Sequence, residues 1–148
     1  MHCVQHTPGA DLVDSLSEED FDYVITKGMD ERIEMYSAFT DPFHERDDAG
    51  RYVSEKSVCT SELEEVLRVK GVTHLYVVGL ATEYCVAATA ADGVRFGFEV
   101  VVVREGTRAV GEVEVAEEWF GGRFGEAGVN VTGINGEEVK WVERLAKS

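Results

Sequence analysis

Residues 77–91 read VVGLATEYCVAATAA and join an apolar strand pattern to a small-residue helix pattern through one cysteine, Cys85. Just before the junction, residues 74–79 are rich in β-branched and aromatic side chains and end in glycine, which predicts a buried parallel strand. After Cys85, small or apolar residues recur at helical spacing: Val86, Thr89, Ala90, Gly93 and Val94. We therefore expect a strand, a short turn and a helix that lies close against a sheet.

Cys85 falls in the first turn of this predicted helix, at the carboxyl end of the predicted strand. Open α/β sheets bind their ligands at that edge. Free backbone N–H groups and the positive end of the helix dipole stabilise a thiolate there, which favours a nucleophile. A lone cysteine is just as readily a small buried apolar residue, so local features alone leave both interpretations of Cys85 open.

A lysine is predicted to reach the same edge of the sheet. Residues 21–27, FDYVITK, alternate and then run apolar, which predicts a strand that ends at Lys27, directly before Gly28. Because the carboxyl ends of parallel strands share one edge, we expect Lys27 to face the same rim as Cys85. The alternative is an ordinary solvated lysine at the end of a strand.

Strand and helix patterns alternate along the chain, which predicts an α/β fold with three layers, α/β/α, around a mostly parallel sheet. Further strands are predicted at residues 98–103 and 129–132. Helices are predicted from the SELE capping box at residues 61–64 to Gly71, at residues 112–120 and at residues 137–146. A length of 148 residues suits a single domain, residues 1–148, with a real core.

Composition and charge exclude several classes of partner. The chain has 14 Lys plus Arg against 29 Asp plus Glu, a net charge of -15, which would repel nucleic acid and anionic membrane surfaces. No apolar stretch approaches the roughly 20 residues that span a bilayer. Cys3, Cys59 and Cys85 are odd in number and widely spaced, which favours reduced thiols in the cytoplasm over a disulfide framework. A homo-oligomer is compatible with the sequence.

Five ordered segments carry a resemblance to a known family. They are HCVQHTPGA at residues 2–10, Lys27-Gly28, YSAF at residues 36–39, GVTH at residues 71–74 and VGLATEYCV at residues 78–86. In order and spacing they resemble the isochorismatase-like cysteine hydrolases, and within them the nicotinamidases. The resemblance runs to about Arg108 and beyond it holds only for the fold, which would be Rossmann-like. It implies hydrolysis of nicotinamide to nicotinate and ammonia through a cysteine thioester, a step of NAD salvage.

The resemblance also assigns roles to residues. Cys85 matches the nucleophile and Lys27 the catalytic lysine of the family. The backbone N–H groups of Ala81 and Cys85 match its oxyanion hole, and the family commonly has a cis peptide bond at the position of Leu80 and Ala81. A cis bond without proline persists only where its surroundings enforce it.

The resemblance further implies residues that would hold the substrate and a metal. Tyr36 and Tyr84 match side chains that border the ring pocket, although aromatic residues at these positions could simply pack. His2 matches one ligand of a divalent metal, zinc by preference. Because zinc takes three or four ligands, one histidine is too few, and we expect metal binding to need residues that this chain does not supply.

Family members open with a first strand that carries an aspartate general base, followed by an Asp-x-His pair, and neither is present here. We therefore expect an N-terminally incomplete domain in which the first strand is missing. Two alternatives to a nicotinamidase stay open. One is another isochorismatase-like cysteine amidohydrolase that acts on a ureido or carbamoyl substrate. The other is a non-catalytic remnant that binds a partner or ligand through the exposed edge of its sheet.

Overall fold

Strands and helices alternate from residue 62 onward. A computed structural model describes residue 4, residues 6–41 and residues 62–147. Within them the strands are β1 (His74–Leu80), β2 (Glu99–Arg108) and β3 (Asn130–Thr132). The α-helices are α1 (Leu63–Val69), α2 (Ala87–Arg95), α3 (Val113–Glu118), α4 (Phe124–Glu126) and α5 (Glu137–Leu145). π-helical turns at Thr82–Val86 and Trp119–Arg123 precede α2 and α4, and short 3-10 turns lie at Pro8–Ala10 and Glu18–Asp20.

The strands form one parallel sheet in the order β1, β2, β3. The pairing of β1 with β2 is regular up to Val77, which lies opposite Val102. It then shifts, so that Gly79 lies opposite Thr107. Because β2 contributes extra residues between these two pairs, its last part bends toward the end of β1. The irregularity brings Thr107 to the turn that follows β1.

Helices cover both faces of the sheet. Residues 100–103, four consecutive valines of β2, are all buried, although successive side chains point to opposite faces. On one face Leu75 lies against α2 at Gly93. On the other face the hydroxyl of the next residue, Tyr76, donates a hydrogen bond of 3.1 Å to the carbonyl of Glu138 in α5. The predicted α/β/α layering is confirmed.

Small residues let α2 lie directly on the sheet, as the sequence pattern predicts. Ala90 is completely buried. A side-chain carbon added at Gly93 would lie 3.0 Å from both Leu75 and Val100, closer than ordinary van der Waals contact. Interiors are packed too densely to absorb such an atom without movement. The separation between helix and sheet therefore depends on glycine at this position.

The predicted strand at residues 21–27 is wrong. The structure gives this segment no strand pairing within the described residues, and Phe21, Tyr23 and Val24 are 43%, 49% and 51% exposed. Alternation of apolar residues makes a strand only where a partner edge and a buried face are available. Here the backbone runs along the surface, and Lys27 reaches its position without belonging to the sheet.

The other predicted elements occur with shifted ends. The strand predicted at 98–103 continues to Arg108, and the helix predicted at 112–120 ends at Glu118, where the π-helical turn with Gly121 and Gly122 takes over. Ser61 of the predicted capping box lies outside the described residues, and Glu62 at the N-cap position of α1 makes no side-chain cap bond. None of the helices in the described part of the chain has the length and apolarity that a bilayer crossing requires.

Candidate active site

Cys85 lies in a tight connection between strand and helix. β1 ends at Leu80, the peptide bond from Leu80 to Ala81 is cis, and the π-helical turn Thr82–Val86 leads directly into α2. The predicted cis bond is confirmed. Cys85 is a free, half-buried thiol at the carboxyl end of β1. Its side chain is therefore placed where a small molecule could meet it, and the interpretation of Cys85 as a fully buried apolar residue is wrong.

The amine of Lys27 lies beside the thiol. Lys27 Nζ is 3.6 Å from Cys85 Sγ and donates a hydrogen bond of 2.7 Å to the carbonyl of Met35. Lys27 is itself half-buried. The amine can donate a hydrogen bond to the sulfur at this distance, and partial burial lessens the screening of that contact by water. The expectation that Lys27 faces the same rim as Cys85 is confirmed, although its catalytic role stays a prediction.

Residues 30–33 form a turn in the segment that joins Lys27 to Met35. The amide of Ile33 donates to the carbonyl of Asp30, and the Arg32 guanidinium donates to the Asp30 carboxylate at 2.8 Å. These hydrogen bonds from Arg32 hold the pKa of Asp30 well below its usual range. Asp30 therefore keeps its charge, and its bonds to Arg32, in acid that would protonate an ordinary aspartate.

The stretch after this turn, residues 35–41, docks on α2. Phe39 is buried and stacks on Phe96 with ring centroids 5.0 Å apart. The Thr89 hydroxyl of α2 accepts a hydrogen bond of 3.0 Å from the amide of Ala38. The remaining buried members of the stretch are Met35, Ser37, Thr40 and Asp41.

A second polar contact lies one turn further along α2. The Thr40 hydroxyl donates a hydrogen bond of 3.3 Å to the Asp92 carboxylate. Together with the bond to Thr89, it fixes the stretch at two points of the helix that follows Cys85. Lys27 is thus held through Met35, whose neighbours are anchored on α2.

Tyr36 and Tyr84 lie in the wall of a cavity of about 600 Å³. Their ring centroids are 5.6 Å apart, and both rings are partly exposed. Trp119 and Phe124 line the same cavity, whereas neither the thiol of Cys85 nor the amine of Lys27 belongs to its lining. Aromatic walls suit a flat apolar ring. The lining of the cavity thus includes Tyr84, the residue directly before Cys85 in the same turn.

Ala81 and Cys85 bracket the turn where the resemblance puts an oxyanion hole. Ala81 is buried, and its carbonyl accepts hydrogen bonds of 3.1 Å from the amides of Tyr84 and Val86. These bonds fix the turn and its entry into α2. An oxyanion hole requires N–H donors aimed at the position of the developing charge. That role for Ala81 and Cys85 stays a prediction.

Sequence reasoning missed the residues that anchor the turn from its other side. Thr82 is completely buried, and its hydroxyl lies 3.1 Å from the hydroxyl of Thr107 at the end of β2. The next residue, Glu83, accepts hydrogen bonds from the amides of Val110 and Gly111. The only sequence signal is a Thr-Glu pair in the first turn, and it does not reveal the shift in strand register that brings Thr107 within reach.

The fold and the site define an α/β protein with a cysteine-centred site at the carboxyl edge of a parallel sheet. The chain belongs to the isochorismatase family, because the sequence profile of the isochorismatase domain matches residues 1–132. The sheet order and the strand, turn and helix around Cys85 agree with that membership.

Similar proteins include nicotinamidases. The nicotinamidase of Schizosaccharomyces pombe is 33% identical over 107 residues, which are 72% of this chain and 42% of the relative. The nicotinamidase of Escherichia coli is 35% identical over 109 residues, which are 74% of this chain and 45% of the relative. The solved pyrazinamidase of Pyrococcus horikoshii in complex with zinc is 32% identical, with a TM-score of 0.67 over 90% of this chain and 62% of that one. The chain thus spans less than half the length of these two curated relatives.

The metal that the resemblance implies does not fit the described residues. His2, the expected ligand, lies outside them. Within residues 6–41 and 62–147 no group of three or more His, Cys, Asp or Glu side chains could hold a metal ion. A zinc site takes three or four ligands in fixed geometry, and the described residues do not bring such a set together.

Proposed function

We propose that this chain carries the cysteine–lysine part of a nicotinamidase site, which hydrolyses nicotinamide to nicotinate and ammonia. The observation that carries the proposal is the 3.6 Å approach of Lys27 Nζ to Cys85 Sγ at the start of α2. A thiolate stabilised by an adjacent ammonium is a nucleophile suited to a carbonyl carbon. The similarity to the S. pombe and E. coli nicotinamidases supports the choice of substrate.

In the proposed reaction, the Cys85 thiolate attacks the carboxamide carbon and forms a C–S bond. The N–H groups of Ala81 and Cys85 hold the oxygen as it becomes negative, and the C–N bond then breaks. The departing nitrogen takes up a proton from solvent and leaves as ammonia. Water then adds to the thioester and the C–S bond breaks, which leaves nicotinate and the Cys85 thiolate. The two protons of that water pass to solvent, and one of them replaces the proton that ammonia took. Lys27 stabilises the thiolate between turnovers.

The substrate ring is proposed to lie against Tyr36 and Tyr84. Both side chains line the cavity that begins one residue before Cys85. A pyridine ring stacked there would present its carboxamide toward the turn Thr82–Val86. We further propose that the protein works in the cytoplasm, where the thiol of Cys85 stays reduced.

Ammonia release from nicotinamide tests the proposal. We would assay this chain and a form extended at its N-terminus by the opening segment of the E. coli nicotinamidase, because the chain spans 45% of that relative. Cys85→Ala should abolish release, whereas Cys59→Ala, the same substitution elsewhere, should not. Release by neither parent form would contradict the enzyme proposal, and an active Cys85→Ala variant would contradict the nucleophile.

A substrate panel distinguishes the alternatives. Hydrolysis of a ureido substrate in preference to nicotinamide would favour a different amidohydrolase that uses the same cysteine. We expect nicotinamide to be preferred, because an aromatic cavity lined by Tyr36 and Tyr84 binds a ring better than a linear ureido group.

A further inference from the structure

The carboxylate of Glu83 joins the Cys85 turn to the segment that follows β2. Its Oε1 accepts hydrogen bonds of 2.9 Å from the amide of Val110 and 3.0 Å from the amide of Gly111. One oxygen thus receives two successive backbone N–H groups. This arrangement fixes both the position and the direction of the side chain, because the two donors point to one place from adjacent residues.

The preceding residue makes a second connection to β2. The Thr82 hydroxyl lies 3.1 Å from that of Thr107, and Thr107 Oγ1 lies 3.3 Å from the carbonyl of Arg104. Two consecutive residues of the turn are therefore tied to two points of the same chain segment. The turn cannot rotate about its own axis without breaking one of these connections.

The other carboxylate oxygen lowers the net contribution of this contact to stability. Glu83 Oε2 is buried and has no hydrogen-bond partner among the described residues. Burying a carboxylate oxygen without a donor costs free energy, which offsets part of what the two bonds to Oε1 contribute. The net stabilisation from the Glu83 carboxylate is therefore smaller than its two hydrogen bonds alone would give, whereas the geometry that these bonds impose on the turn is undiminished.

The geometry of this turn matters because thiol and amine come from different parts of the chain. Lys27 is held by its bond to the carbonyl of Met35, whereas Cys85 takes its position from the turn in which it lies. A rotation of the turn would carry Sγ away from the 3.6 Å contact with Nζ. Glu83 and Thr82 are the side chains that oppose such a rotation from the β2 side.

We propose that Glu83 is a positioning residue that holds the turn so that the Cys85 thiol stays within reach of the Lys27 ammonium. The proposal rests on the nucleophilic role proposed for Cys85. It makes no use of nicotinamide, so that it can be tested even if the chain does not turn over that substrate.

The test is the rate at which iodoacetamide alkylates Cys85, followed by peptide mapping so that Cys3 and Cys59 are counted separately. Alkylation proceeds through the thiolate. Glu83→Ala should slow it roughly tenfold, the order expected when one charge contact near a protein surface is lost. Glu83→Gln keeps an oxygen in place to accept both amides and should retain most of the parent rate.

A double-mutant cycle separates positioning from a general loss of structure. If Glu83 acts by keeping the thiol near Lys27, then Glu83→Ala should have little effect once Lys27→Met has removed the ammonium. Glu105→Ala is the matched control, because Glu105 also accepts a backbone amide, that of Ile134 at 2.9 Å, at another point of β2. It should lower the thermal midpoint without slowing alkylation.

Three outcomes would overturn the proposal. The effects of Glu83→Ala and Lys27→Met could multiply, Glu83→Gln could be as slow as Glu83→Ala, or Glu83→Ala could lower the thermal midpoint at an unchanged alkylation rate. If Glu83→Ala does not fold, Glu83→Asp replaces it in the cycle. Asp keeps the charge but retracts the oxygen by one methylene, and a parent alkylation rate in that variant would also contradict the proposal.

Discussion

The two parts of the chain that supply Cys85 and Lys27 are built differently. Residues 62–147 hold the sheet and the α-helices, whereas residues 6–41 hold only two short 3-10 turns as regular structure. Most side chains before Met35 are exposed, and those from Met35 to Asp41 are largely buried against α2. The thiol is thus positioned by secondary structure and the amine by a short docked stretch. The thiol and the amine of one site can therefore come from segments that differ greatly in regular secondary structure.

The largest loss of stability should come from removing the side chain of Phe39, which docks residues 35–41 on α2. Phe39 is 2% exposed and contacts the rings of Phe96 and Phe98. Phe39→Ala should lower the free energy of unfolding by about 3–5 kcal/mol through lost transfer energy and a cavity. Urea denaturation measures this. Val24→Ala, at an exposed site of residues 6–41, should change the free energy of unfolding by less than about 0.5 kcal/mol. Similar losses in the two variants would contradict the docking of residues 35–41 on α2.

Overpacking the surface on which that stretch docks should have the next largest effect. A side-chain carbon at Gly93 would meet Leu75 and Val100 at 3.0 Å and Phe39 at 3.7 Å. Gly93→Leu should therefore cost about 1–3 kcal/mol in unfolding free energy, despite the better helix propensity of leucine. The matched control is Gly121→Ala, where an added carbon meets nothing within 4 Å. A parent-like midpoint for Gly93→Leu would show that α2 can shift freely.

Removing the amine should separate reactivity from stability. Lys27→Met should slow alkylation of Cys85 roughly tenfold, which corresponds to about 1.4 kcal/mol. The free energy of unfolding should fall by about 1–2 kcal/mol, since the variant loses the two hydrogen bonds of Nζ, to the carbonyl of Met35 and to the sulfur of Cys85. Lys140→Met, which removes a surface ion pair with Glu137, should leave alkylation unchanged. An equal rate in both variants would rule out the contact between Lys27 and Cys85.

The smallest effect should be on the thermal midpoint, and it concerns the contact between Thr132 of β3 and Glu138 of α5. The Thr132 hydroxyl donates to Glu138 Oε2 at 2.7 Å and lowers the pKa of that carboxyl. A carboxyl whose pKa falls on folding adds stability above its unfolded-state pKa, and the gain disappears as pH drops through the lowered folded-state value. Thr132→Val should therefore lower the thermal midpoint at neutral pH, by an amount that shrinks below about pH 4.

Glu138→Gln is the control for this pH dependence, because no titratable carboxyl then remains at position 138. In that background Thr132→Val should shift the midpoint equally at neutral and acid pH. A difference between parent and Thr132→Val that stays constant with pH would contradict the assignment. Thermal scans followed by circular dichroism at several pH values supply the measurement.

The sequence predicts most of residues 62–147, because the patterns that predict their strands and helices are local. An apolar strand, a glycine and a run of small residues predict β1 and α2, and the small size of Gly93 already indicates a close approach of helix and sheet. The family resemblance adds the cis bond before Ala81 and the pairing of Lys27 with Cys85. These features depend on few residues that are close in sequence or fixed by a motif.

What could not be predicted depends on contacts between distant residues. The alternation at residues 21–27 indicates a strand, yet the segment finds no pairing edge in the described structure and stays exposed. The shifted register that sets Gly79 opposite Thr107 has no sequence signature. Glu83 is an ordinary first-turn residue until the amides of Val110 and Gly111 are placed beside it.

α2 supports both members of the reactive pair. Its first residue follows the Cys85 turn, and its Thr89 and Asp92 side chains hold the stretch that carries Met35 and, through it, Lys27. The Cys85 turn, however, is also tied to β2 and to the segment after it through Thr82 and Glu83. A shift of α2 relative to the strands would therefore move the amine while these bonds hold the thiol. The distance between sulfur and nitrogen thus depends on how closely α2 packs on the sheet, and so on glycine at position 93.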